Sequence, residues 1–164
     1  YGYNDTMKVF GKFEGNKYTF RKSQLEKNRE LYQDTYLHVF NKVLKYKKAI
    51  KAFEELINTN ISIEDETKNE IIGKLLLRVM ESLAKSFKLD DTRVYTHHSF
   101  NKYLQIKLKK YLKDEVETNK PCDQKEVELY KLLQLQDYNE LRKQALLNPI
   151  DTLKAIYLYT ICEA

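Results

Sequence analysis

The chain has 164 residues, 42% apolar and 32% charged, with a net charge of +5, long enough for one domain to bury roughly 70% of the surface its unfolded form exposes. Four glycines and two prolines are too few for a sandwich or barrel with many tight turns. No apolar run approaches the roughly 18–20 residues that cross a bilayer, so no membrane partner is expected.

The chain opens YGYNDTMKVF, with neither an initiator Met nor the apolar core of a signal peptide. It reads as a processed chain or a fragment or subunit of a larger protein or assembly. Cys122 and Cys162 lack zinc-ligand spacing. They read as inert thiols of a reducing, intracellular compartment that the sequence does not specify.

Residues 7–20, MKVFGKFEGNKYTF, form the one strand-like stretch. Val9, Phe13, Tyr18 and Phe20 lie in β-prone runs flanking EGNK, where Gly15-Asn16 supplies the positive φ of a tight turn. A hairpin is expected, packed on helices or paired with another chain, because two strands alone are barely stable.

From Lys22 to Ile57 the period changes. Leu25, Arg29, Tyr32, Tyr36, Val39, Val43, Tyr46, Ile50, Phe53 and Ile57 recur in steps of four and three, which predicts one long helix. NTNIS ends it, and Ser62 with Asp65 predicts a capping box for the next helix. That helix runs to about Lys88 with Ile72, Leu75, Leu76, Val79, Met80, Leu83 and Phe87 inward, and its broad apolar arc makes it the expected central helix.

LDDTRVYTHH, residues 89–98, reads as a loop, and Ser99–Lys113 as a helix with Phe100, Leu104, Leu108 and Tyr111 inward. The polar stretch DEVETNKPCD follows. Three short helices come next, capped by Asp123 with Glu126, capped by Asp137 with Glu140, and starting near Asp151 after Asn148-Pro149. The final LKAIYLYTIC is either buried or an exposed docking surface. The fold class is therefore mainly α: a bundle of about six helices, one of them long (Lys22–Ile57), with a small N-terminal β-hairpin. It is expected to form a single helical domain, with the hairpin in residues 1–21, a three-helix core in 22–113 and short C-terminal helices in 121–164.

Charge is local. Residues 92–113 hold Arg93, Lys102, Lys107, Lys109, Lys110 and Lys113 and no carboxylate. At 100° per residue, Lys102, Lys109 and Lys113 fall within about 40° of one another, opposite Phe100, Leu104 and Tyr111. Arg93, His97 and His98 precede the same helix. A second group, including Lys45, Lys48 and Lys51, covers the outer face of the long helix. Uncompensated like charge in a row favours an anionic partner, and phosphate is the commonest. The opposing reading is an ordinary solvated helix face. With neither zinc-finger spacing nor an RRM-type aromatic pair, backbone contact is expected over base reading. An acidic protein surface is the other partner this charge fits.

Arg93 and His98 stand with four residues between them, as R-V-Y-T-H-H. This spacing resembles the Arg-x4-6-His motif of HEPN-type ribonucleases, small all-helical domains. The resemblance implies metal-independent RNA cleavage, with Arg93 holding a phosphate, His98 moving a proton, and each meeting its counterpart across a dimer. The chain departs from that pattern at Val94, where the family carries a polar residue, and in the long segment that follows Lys113.

No Gly-rich phosphate loop, nucleophile elbow or HExxH is present, so no cofactor is expected. Asp90, Asp91, His97 and His98 are the residues a metal would use, although adjacent loop histidines are more often solvated or capping groups. The leading expectation is a non-enzymatic module that docks through its C-terminal segment or hairpin and binds nucleic-acid backbone through the basic face at 93–113. A protein–protein interaction domain with no nucleic-acid role is the alternative, and a HEPN-like ribonuclease the third.

Overall fold

A computed structural model describes residues 2–9, 11–15, 17–22, 29, 68–120 and 123–163. The predicted helix Lys22–Ile57 falls almost wholly outside them, together with Lys45, Lys48, Lys51, the Ser62–Asp65 cap and Cys122. The described residues form six helices: α1 (Gly2–Val9), α2 (Lys68–Ser86), α3 (His97–Thr118), α4 (Lys125–Gln134), α5 (Tyr138–Leu147) and α6 (Pro149–Glu163). Three short strands accompany them, β1 (Phe13–Glu14), β2 (Thr19–Arg21) and β3 (Val94–Tyr95). The fold is mainly helical, with the hairpin where it was expected.

Two features at the N-terminal end differ from expectation. Met7 to Val9 are helical rather than extended. The reason is the stop at Gly11, which takes φ +72. Its amide bonds the Lys8 carbonyl at 3.0 Å, and the Lys12 amide bonds that of Met7 at 3.1 Å. This is a Schellman ending, which satisfies carbonyls that a helix leaves orphaned.

The second difference is β3. Val94-Tyr95, expected in a loop, pairs parallel with β2, Thr19 with Val94 and Phe20 with Tyr95. β1 pairs antiparallel with β2 on its other side, giving the order β1-β2-β3. A two-residue strand carries too little alternation to be read from its own sequence; what fixes it is the buried side-chain contact it makes.

That contact is an aromatic cluster. Phe20 and Phe100 meet edge to face at 5.2 Å, Tyr95 and Phe100 at 5.7 Å, and Phe100 and Tyr157 at 6.2 Å. Such pairs contribute about 0.5–1.5 kcal/mol each beyond area burial. Through them the hairpin, α3 and α6 share one core.

Leu76, Val79, Met80, Leu83 and Phe87 are buried as the α2 pattern predicted. Among the described elements the most enclosed is nevertheless α6, which packs on α2, α3, α4 and α5. Leu153, Ala155, Ile156, Tyr157 and Leu158 are each no more than 1% exposed, so this segment is core and not a docking surface. α6 also begins at Pro149 rather than near Asp151, since proline is tolerated in a helix's first turn, where no intrahelical partner is lost.

α4 starts differently too. Its N-cap is Gln124, with no side-chain capping bond, because Glu126, the expected capping partner of Asp123, is turned inward and buried. Asp137 does cap α5, accepting the Glu140 amide at 3.3 Å.

Candidate nucleic-acid interface

α3 begins two residues earlier than its apolar pattern implied and ends beyond Lys113, at Thr118. Its N-cap is Thr96. The Thr96 hydroxyl oxygen accepts the Ser99 amide at 3.1 Å, while the Thr96 amide donates to Ser99 Oγ at 3.0 Å. This reciprocal box draws His97 and His98 out of the predicted loop and into the first helical turn.

The buried line of α3 is Phe100, Leu104 and Leu108, with Tyr103, Tyr111 and Leu112 packed beside it. Burying that line turns Lys102, Lys109 and Lys113 outward on the opposite side, and all three are exposed. Among the described residues no carboxylate lies within 4.0 Å of the Lys102 or Lys109 ammonium. Lys113 Nζ sits 3.7 Å from Glu117 Oε1, with the two side chains 74% and 60% exposed. An exposed pair of this kind is worth about 0–1 kcal/mol and yields readily to a phosphate. Ile106 and Val116 are exposed on the same side of the helix.

Arg93 lies on a different flank. Its Nε is 3.5 Å from Asp90 Oδ2, and NH1 donates to the Tyr103 hydroxyl at 2.6 Å. The guanidinium also stands 5.4 Å from the Tyr103 ring centroid. Asp90 is held as carboxylate, its pKa lowered by hydrogen bonds from the Thr92 hydroxyl and amide and then by Arg93. His98 projects about 140° round the helix from Tyr103. The Arg93 guanidinium, which reaches Tyr103 from the loop before β3, and His98 therefore lie on different sides of α3.

His97, His98 and Lys102 do come together. With Asn101 and Gln105 of α3, and Thr160 and Ile161 of α6, they line an open cleft of about 500 Å³. Asn101 Oδ1 accepts the hydroxyl of buried Tyr157. Gln105 Nε2 donates to the Ile161 carbonyl at 2.5 Å. Both bonds tie the start of α3 to the end of α6.

Of the predicted binding residues, then, Lys102, Lys109 and Lys113 share one ridge, His97 and His98 flank its N-terminal end, and Arg93 stands apart. Among the described residues no three His, Cys, Asp or Glu side chains converge as a metal site requires, the Asp90, Asp91, His97 and His98 set included. No helix among them is long and apolar enough to cross a membrane. Tyr18, Tyr95, Tyr130 and Tyr157 are core residues, and Cys162 is a free thiol pushed up in pKa by burial.

The sequence reading missed a buried ionic group at the junction of α2, α4 and α6. Lys154 Nζ approaches Glu126 Oε2 at 3.5 Å, Asp151 Oδ1 at 3.5 Å and Ser86 Oγ at 2.9 Å. A lysine inside the otherwise apolar LKAIYLY was the available signal. Buried lysines are rare unless paired.

Comparison of the chain with protein-family models, with curated proteins and with solved structures finds no match to any of them.

Proposed function

We propose that the outer face of α3 binds the phosphate backbone of a nucleic acid, and that the chain works as a non-enzymatic module within a larger assembly. The observation that supports this reading is the alignment of Lys102, Lys109 and Lys113 on one exposed side of a single helix that carries no carboxylate before Asp114. Three ammonium groups on a helix repel one another in water, and phosphates relieve that repulsion while releasing condensed counterions. His98 extends the ridge at its N-terminal end, His97 faces the adjoining cleft, and Arg93, held by Asp90 and Tyr103, lies off the ridge.

The ribonuclease reading has less support. A catalytic pair needs arginine and histidine aimed at one phosphate, whereas here the guanidinium rests on Tyr103, on the far side of the helix from His98.

A fluorescence-anisotropy titration across salt concentrations tests the proposal. Affinity should fall steeply with salt, and the triple change K102E/K109E/K113E should weaken binding strongly and reduce the magnitude of the log–log slope by about 2–3, since each phosphate contact contributes roughly 0.7–0.9. Binding that the triple variant leaves unaltered overturns the reading. A protein captured at moderate salt with no nucleic-acid affinity would favour an acidic protein surface, and EDTA-resistant RNA cleavage lost in H98A would favour catalysis.

A further inference from the structure

The ridge borders the cleft between the start of α3 and the end of α6, and Lys102 belongs to both. We propose that this cleft seats one unpaired base of a single-stranded nucleic acid whose phosphates run along Lys102, Lys109 and Lys113. The inference rests on the backbone-binding reading and adds to it a preference for strand type.

Four observations carry it. The cleft is about 500 Å³ and open, within the roughly 300–1,000 Å³ of small-molecule sites and far roomier than a phosphate requires. Among the described residues its lining includes no carboxylate, so a nucleotide's anionic group meets no like charge from them. Its two amide side chains are fixed in place, Asn101 by the hydroxyl of buried Tyr157 and Gln105 by the Ile161 carbonyl. With Gln105 Nε2 committed to that carbonyl, Oε1 is the amide atom left to accept an N–H from a base edge. Finally, Ile161 and the imidazoles of His97 and His98 supply the flat or apolar surfaces against which bases stack.

A base reaches such a cleft only when it is out of the helical stack. Extracting it from a duplex costs a few kcal/mol, whereas an unpaired strand presents it at little cost. The module should therefore grip single strands more tightly than duplexes of equal length and charge.

The test is an anisotropy titration of the full chain with three probes: a short labelled oligothymidylate, an abasic strand of the same length and phosphate count, and a duplex of that length. The expected result is about tenfold weaker binding to the abasic strand, in line with the contribution of one stacked base, and weaker binding to the duplex as well. Q105A should narrow the gap between thymidylate and abasic strands, with helical content checked by circular dichroism. Equal affinity for the thymidylate and abasic strands overturns the cleft assignment while leaving the ridge intact, and the unsubstituted chain supplies that answer without any variant. A duplex bound as tightly as the single strand, or a Q105A chain that keeps the full gap, overturns it too. If no probe binds, or if K102E/K109E/K113E binds as well as the parent, the backbone reading fails and takes this inference with it.

Discussion

Lys154 carries its ammonium to 3.5 Å from the Glu126 carboxylate, with the two side chains only 6% and 4% exposed. The same ammonium reaches Asp151 on its own helix and the Ser86 hydroxyl of α2. One side chain thus holds three helices at a point where no apolar group would impose a direction. Among the described residues Glu126 Oε1 finds no hydrogen-bond partner although it is buried, so they do not fully satisfy the group. Removing one charge should be costly and removing both much less so. K154M is expected to lower unfolding free energy by about 3–5 kcal/mol, and K154M/E126L to recover most of that loss. Urea denaturation of the two variants measures the difference; equal destabilisation would show that the charges act independently.

The hairpin turn depends on Gly15. It adopts φ +114, and a Cβ placed there would stand 2.2 Å from the Tyr18 carbonyl oxygen and 2.7 Å from Glu81 Oε1. Backbone cannot yield as the carboxylate can. G15A should cost more than the roughly 1 kcal/mol of an ordinary backbone penalty. Amide hydrogen exchange should report the change first in β2 and β3, ahead of α4 and α5. Uniform loss of protection across all of these elements would mean the turn is not a separate weak point.

Alkaline stability is the third prediction. Burial, reinforced by Asp90, pushes the Tyr95 phenol up to about 12 from its usual 10. The folded chain thus keeps a proton that the unfolded chain gives up near pH 10. Its contribution is complete below about pH 10 and is lost as pH rises through about 12. Tyr18, Tyr130 and Tyr157 are raised as well, chiefly by burial, and act in the same direction. Unfolding free energy measured by urea titration at successive pH values should decline across that window, and Y95F should decline less. A flat profile would contradict the burial assigned to these phenols.

Periodicity made the bundle legible. The spacing of Leu76, Val79, Met80, Leu83 and Phe87, and of Phe100, Leu104 and Leu108, reports a helical face directly, and each of these residues is buried. The ridge followed from the same arithmetic, because whatever lies opposite a buried line faces water.

What escaped had other causes. β3 is held by a partner about 75 positions earlier, beyond the range of local pattern. α2 is stopped just past Ser86 by Lys88 and α4 just past Gln134 by Gln136, both at positive φ and neither glycine, with the same pair of bonds that closes α1 at Gly11 and Lys12. Thr96 was hidden because its box uses Ser99 where a glutamate is the familiar sign. Glu126 was read as a capping group because spacing alone does not distinguish a carboxylate turned back on its own helix from one turned inward toward Lys154. The cleft was illegible for a similar reason, since its walls come from segments more than 50 residues apart.

The parallel contact of Thr19 with Val94 has a consequence for assembly. Phe20 reaches Phe100 only after a long stretch of polypeptide has been brought end to end, an entropic toll that grows slowly with length but falls due before any reward. The N-terminal segment should then clasp last and release first. A backbone nicked between the two strands should stay together as a noncovalent pair, held by three interlocked rings.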